Sequence, residues 1–230
     1  MLKVKKIISI CLFISLVITS FPMLVKVEAA QTPGIINGGV YEIKNVQSGK
    51  YLNVHMGYDA DEINVYQWTR DSSTEQKFKV VYISSTDSYR FYAMCSSNGT
   101  NRVLDIVKSG GVVANGCNVE IYRPIDPIAQ EWKIINVGTA GRYKVVPRTN
   151  TGVELTANGD SNGTSSGQFD YSPGNVFVAT CSGNGTTSQQ WDFVYQGADD
   201  YSDTASGATT VTVGGYKDGI LNSGTDQDWF

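Results

Sequence analysis

The chain has 230 residues, of which 18 are basic and 22 acidic, and 41% are apolar. Its formal net charge of −4 excludes the basic face that a nucleic acid or an anionic lipid surface demands. Scarce charge, 17%, beside 24 glycines is the balance of a turn-rich β protein, and a single histidine with no Cys-x-x-Cys argues against zinc.

Lys3, Lys5 and Lys6 precede an apolar run from Ile7 to Phe21, and Val27 and Ala29 stand at −3 and −1 of a cut after Ala29. A basic start, an apolar stretch too short for a comfortable span and a cleavage-type ending describe a signal peptide over residues 1–29. The mature chain is then expected to be secreted, extracellular and not inserted in a membrane. It keeps 14 basic and 21 acidic residues, a net charge near −7. Cys11 leaves with the signal, and Cys95, Cys117 and Cys181 remain. Two states are open in an oxidising compartment: a Cys95–Cys117 bridge, both thiols lying in one repeat, or three reduced, buried thiols.

A leader occupies residues 30–38, and a repeating pattern follows. Val40-Tyr41-Glu42-Ile43 opens the first unit as an aromatic-led alternating strand, and Leu52-Asn53-Val54 gives a Leu-x-apolar strand after a Gly49 turn. Asn64-Val65-Tyr66-Gln67-Trp68 is a third strand, and Gln76-Lys77-Phe78-Lys79-Val80 a fourth. The second unit repeats the order with Tyr89-Arg90-Phe91-Tyr92, Leu104-Asp105-Ile106, Asn118-Val119-Glu120-Ile121-Tyr122 and Gln130-Glu131-Trp132-Lys133-Ile134. The third gives Arg142-Tyr143-Lys144-Val145, Leu155-Thr156-Ala157, Asn175-Val176-Phe177-Val178-Ala179 and Gln189-Gln190-Trp191-Asp192-Phe193. Three Gln-x-aromatic copies in phase with three Leu-x-apolar copies mark an internal repeat. Twelve short strands are expected, in units of about 39–84, 85–138 and 139–196.

A threefold repeat of four strands with Gln-x-Trp near each end resembles the ricin-type β-trefoil lectin domains, over residues 39–196. The resemblance implies an all-β fold, a β-trefoil, whose triplet aromatics fill the core while the triplet glutamines bond turn backbone. It departs from the family in Phe78, where Trp is usual, and in lacking most of the paired cysteines. From Asp199-Asp200-Tyr201 the composition changes. Residues 197–230 read as a linker and an incomplete β tail, which resembles the start of a bacterial pre-peptidase C-terminal domain.

In the ricin-type family a sugar is held by an Asp just after the Leu landmark, a polar residue and an aromatic two apart on the third strand, and the triplet Gln. Carried over, the resemblance assigns Asp105, Glu120, Tyr122 and Gln130 in the second unit, with Ala129 where the family often has an Asn donor. In the first unit it assigns Asn53, Tyr66, Trp68 and Gln76, with Glu75 before the Gln. Asn53 accepts hydrogen bonds without charge, so its bonds to hydroxyls are expected to be weaker. The third unit has Thr156, Phe177 and Ala179, lacks both acid and stacking aromatic, and is expected to be silent. A structural role stays open for each residue: a turn cap for Asp105, packing under a loop for Tyr122 and Trp68, an Asx-turn for Asn53.

The expected function is a secreted carbohydrate-binding, lectin-like module that binds a glycan or polysaccharide weakly and multivalently and targets an appended activity; it is expected to be monomeric, without catalytic residues, cofactor or metal. Two alternatives stand beside it: a structural or protein-interaction trefoil with decayed sugar sites, and a fragment of a secreted hydrolase. A His-based triad has only His55 to use, a residue within reach of the first site but read rather as a solvent-facing turn position. The polar stretches at 59–62 and 158–163 lack calcium-loop spacing and read as polar turns. The Asn-Gly-Thr triplets at Asn98, Asn162 and Asn184 read as turns, or as glycosylation sequons in a host that modifies them.

Overall fold

The computed structural model describes residues 31–163, 173–181 and 186–197. The expected signal peptide, the tail from residue 198 onward and the Asn184 triplet lie outside the described residues. The first unit forms β1 (Val40–Asn45), β2 (Tyr51–Val54), β3 (Ile63–Trp68) and β4 (Lys77–Ile83). The second forms β5 (Ser88–Ala93), β6 (Val103–Ile106), β7 (Val119–Tyr122) and β8 (Trp132–Asn136). The third forms β9 (Arg142–Pro147), β10 (Val153–Ala157), β11 (Val176–Thr180) and β12 (Trp191–Tyr195). The aromatic and Leu landmarks lie on their expected strands, whereas Gln76, Gln130 and Gln189 each end a single helical turn that precedes the fourth strand of its unit. A single α-helix, α1 (Pro127–Gln130), is found among the described residues.

Strands β1, β4, β5, β8, β9 and β12 pair in that order, and β12 returns to β1, closing a barrel with no free edge. The hairpins β2–β3, β6–β7 and β10–β11 cap one end. Register explains why each unit opens on an aromatic: Tyr41 faces Phe78, Tyr89 faces Trp132 and Tyr143 faces Trp191. The triplet aromatics Phe78, Trp132 and Trp191 are fully buried, with Leu52, Leu104 and Leu155. The two motifs are also bonded to each other: Trp132 Nε1 donates to the Leu104 carbonyl at 3.2 Å and Trp191 Nε1 to that of Leu155 at 3.0 Å. Each indole thereby satisfies its one donor inside the core.

The triplet glutamines bond turn backbone. Gln76 Nε2 donates to the Thr69 carbonyl at 2.9 Å, and its Oε1 accepts from Asp71 N at 3.0 Å. Gln130 repeats this with the Arg123 carbonyl at 2.8 Å and Asp126 N at 2.9 Å. The leader closes the other end of the barrel. Thr32 N and Ile36 N donate to the Tyr89 and Tyr41 hydroxyls at 2.6 and 2.8 Å, Tyr143 Oη donates to the Pro33 carbonyl at 2.8 Å, and Ile35 enters the core.

The Cys95–Cys117 bridge is not formed, and all three thiols are free. Cys117 packs in the core with Sγ accepting from Ala114 N at 3.4 Å, while Cys181 Sγ donates to the Thr151 carbonyl at 3.2 Å. Burial pushes the Cys95 and Cys181 thiols up to about 11, so neither offers a thiolate at neutral pH.

The three Asn-Val landmarks meet on the pseudo-threefold axis. Asn64 Nδ2 donates to Asn175 Oδ1 at 2.9 Å, Asn175 Nδ2 to Asn118 Oδ1 at 2.7 Å, and Asn118 Nδ2 to Asn64 Oδ1 at 2.8 Å. The ring is closed and buried, each amide giving one bond and taking one. In Asn118→Ala the Asn64 acceptor and an Asn175 donor lose these bonds in the interior, at an expected cost of about 2–4 kcal/mol. Replacing all three by Ala should cost well under three times the single loss, because the first substitution already opens the ring. Denaturant unfolding measures both, and strictly additive losses would contradict a cooperative ring.

Candidate functional site

The cap hairpins position the site. In each, the residue after the Leu landmark stands opposite the third residue of the Asn-Val strand: Asn53 faces Tyr66, Asp105 faces Glu120, and Thr156 faces Phe177. Directly opposed residues share one face of their sheet, so each pair forms one wall of a depression.

In the second unit that depression is a cleft of ≈ 390 Å³. Asp105, Glu120, Tyr122 and Gln130, carried by β6, β7 and α1, all line it. Asp105 and Glu120 are nearly covered, at 8% and 4% exposure, whereas Tyr122 is half-buried, with the Arg123 guanidinium 5.7 Å from its ring centroid. The rest of the wall includes Glu62, Lys108, Ile125 and Asp126, which sequence reasoning missed. Asp126 caps α1, accepting from Ile128 N at 2.9 Å, and also pairs with Lys108. The Asp126-Pro127 pair was a readable helix-start signal. The ion pair to Lys108, 18 residues away, depends on how the intervening loop folds.

The first-unit cleft is smaller, ≈ 220 Å³, and is lined by Asn53, Met56, Tyr66, Trp68, Asp71 and Glu75. Asn53, Tyr66 and Trp68 were expected there. Gln76 is fully buried behind this wall, its amide occupied by the turn backbone. Tyr66 and Trp68 lie with ring centroids 5.8 Å apart, and His55 packs on Tyr66 with Nδ1 3.4 Å from its hydroxyl. His55 is thus half-buried against the first cleft rather than solvent-facing. The third hairpin sets Thr156, bonded to the Glu154 carbonyl at 2.8 Å, opposite Phe177.

Among the described residues no donor meets Glu120 Oε2 or Asn53 Oδ1, although both atoms are buried. An interior acceptor without a partner is costly and marks a place where a ligand can supply a donor.

The comparisons agree with the fold. Residues 31–122 match the family model described as ricin-type beta-trefoil lectin domain-like. The described residues form a β-trefoil. The designed threefold-symmetric protein ThreeFoil superposes with TM-score 0.54 at 27% identity, over 67% of this chain and 97% of that one. The Rhizoctonia solani agglutinin superposes with TM-score 0.55 at 15% identity, over 72% of this chain and all (100%) of that one. An exo-beta-1,3-galactanase from Clostridium thermocellum gives TM-score 0.54 at 22% identity, over 70% of this chain but 31% of that one. At those identities the agglutinin and the galactanase share the fold alone. No curated protein matches the chain. Among the described residues of the trefoil, no helix is long and apolar enough to cross a membrane.

The carboxyl pair of the trefoil's second unit is electrostatically unusual. Burial pushes Asp105 up to about 7, with the Asp126 charge adding to it, against a Gln130 hydrogen bond and Lys108. Burial, then Asp105, Glu62 and Asp61, push Glu120 up to about 8. Both carboxyls therefore stay protonated in the folded state where the unfolded chain has already ionised. Folded protein binds more protons between about pH 4 and 8, so stability falls as pH rises through that window. The slope should reach about 1.4 kcal/mol per pH unit for each carboxyl between pH 5 and 7. Denaturant unfolding of wild type and Glu120→Gln isolates it: the variant should lose less stability on going from pH 5 to 8. Parallel curves would contradict the assignment.

Proposed function

We propose that the domain is an exported carbohydrate-binding module whose principal site is the second-unit cleft. The observation that carries the reading is convergence. Four side chains from three elements, Asp105, Glu120, Tyr122 and Gln130, line one cleft, and a buried Glu120 oxygen there lacks a donor among the described residues. A sugar ring has a hydroxyl rim and an apolar C–H face. The hydroxyls donate to the two carboxyl groups, and the C–H face lies on Tyr122, a rigid aromatic that loses little entropy on binding. The first-unit cleft supplies a second, smaller site through Asn53, Tyr66 and Trp68. Two weak sites on one domain gain from each other on a polysaccharide. The third unit, with uncharged Thr156 opposite Phe177, takes no part.

Binding, rather than cleavage, suits the placement of the acids. Glycoside hydrolysis needs two carboxyl groups flanking the scissile bond from opposite sides. Asp105 and Glu120 stand side by side on one wall. The export reading rests on the basic, apolar and small-residue pattern of residues 1–29.

Asp105→Ala and Tyr122→Ala should each lower glycan retention at least about tenfold while the melting curve stays cooperative. A glycan array and affinity electrophoresis on polysaccharide gels read the loss. Variants that bind the array like wild type would overturn the site, and release of reducing sugar from a polysaccharide panel would overturn the non-catalytic reading.

A further inference from the structure

We infer that the second-unit cleft selects a cationic amino sugar, with the ligand's ammonium group seated between Asp105 and Glu120. The inference rests on the glycan-binding reading and narrows its ligand class.

Four acids line this cleft: Glu62, Asp105, Glu120 and Asp126. Its wall has one basic residue, Lys108, and Asp126 already holds that ammonium. The neighbouring Arg102 and Arg123 both pair with Asp61 outside the wall. Each of these three cations is therefore already paired with an acid, Arg102 and Arg123 sharing Asp61. Asp105 and Glu120, opposed across β6–β7, have no ion pair among the described residues. Glu120 lines the cleft at 4% exposure, and its Oε2 is buried without a hydrogen-bond partner among the described residues.

Two adjacent buried carboxyl groups without a counter-ion must be neutralised. In the free protein protons serve, which is the meaning of the raised affinities of both groups. A sugar hydroxyl offers one donor and no charge, so it leaves that situation in place. An ammonium offers three donors and a full positive charge. One N–H reaches Glu120 Oε2 and another reaches Asp105, both bonds are charge-assisted, and the displaced proton leaves to solvent. An N-acetyl group at the same position has one N–H, no charge and a methyl that the acids cannot solvate.

The first-unit cleft repeats the pattern from different residues. Asp71 and Glu75 line it, no lysine or arginine does, and the buried Asn53 Oδ1 has no donor among the described residues. Trp68 and Tyr66 add aromatic faces, which also favour a cation.

Titration calorimetry on the purified chain at pH 7 tests this with a β-1,4-linked glucosamine trimer, its fully N-acetylated form, lactose and a lysine trimer. The glucosamine trimer should bind at least about tenfold more tightly than the other three. Its binding heat should vary with the buffer's ionisation enthalpy, because a proton is released. Glu120→Gln should remove the preference, and the buffer dependence in wild type decides the matter if that variant does not fold. Equal or tighter binding of the N-acetylated trimer or lactose would overturn the amino-sugar assignment and leave the sugar site standing. Equal binding of the lysine trimer would reduce the effect to general cation attraction and overturn it. Failure of every sugar to bind would overturn the site and the assignment together.

Discussion

Three buried asparagine side chains, one from each unit, close a hydrogen-bonded ring on the pseudo-threefold axis, and the cap of the molecule is organised around it. A buried amide is tolerable only when its donor and acceptor are met. Here each amide meets the next, so the ring needs all three strands in one register. A slip of one residue on β3, β7 or β11 would turn an asparagine away and leave polar atoms stranded in the core. The ring is thus a registration device as well as a source of stability, and polar networks of this kind hold more together than pairwise bonds suggest.

The ring also fixes where the site positions fall. The residue opposite each ring asparagine is the one two places beyond the next unit's asparagine: Asn64 faces Glu120, Asn118 faces Phe177, and Asn175 faces Tyr66. Backbone symmetry therefore presents Tyr66, Glu120 and Phe177 at equivalent places, and the chain varies them freely. One becomes a buried acid beside Asp105, one an aromatic beside Asn53, and one an apolar residue beside Thr156. The core can be regular and the sites irregular because register is held by the asparagines themselves, whatever residue stands opposite each of them.

Much of this was legible in the sequence. All twelve strands follow from landmarks in phase, since a period-two strand with one buried face leaves little choice of register once the repeat is seen. The four residues of the second cleft were legible for the same reason: their spacing from Leu104 and Trp132 puts them on one hairpin and one turn. Other parts were not. The repeated Asn-Val pairs were visible, but residues 54 and 57 positions apart reveal their contact only when the three units close. The closing of the barrel end by residues 31–36 left no periodic trace, because it runs through single bonds to the Tyr41, Tyr89 and Tyr143 hydroxyls. Lys108 and Asp126 reach the cleft through a loop and a helix cap. The glutamines bore two meanings in the sequence, and the fold separates them: Gln76 serves the turn alone, while Gln130 serves the turn and also lines the cleft.

The central proposal is a ligand site in the second unit at the junction of β6, β7 and α1, its position set by the register held on the axis. Backbone amide NMR during titration with a chitosan oligomer tests it most directly. Shifts confined to residues 105–108 and 120–130 at low ligand ratio, followed by weaker shifts at 53–58 and 66–75, are the predicted result. Shifts centred on the third hairpin at 153–157 and 176–180, or none at any ligand concentration, would contradict it.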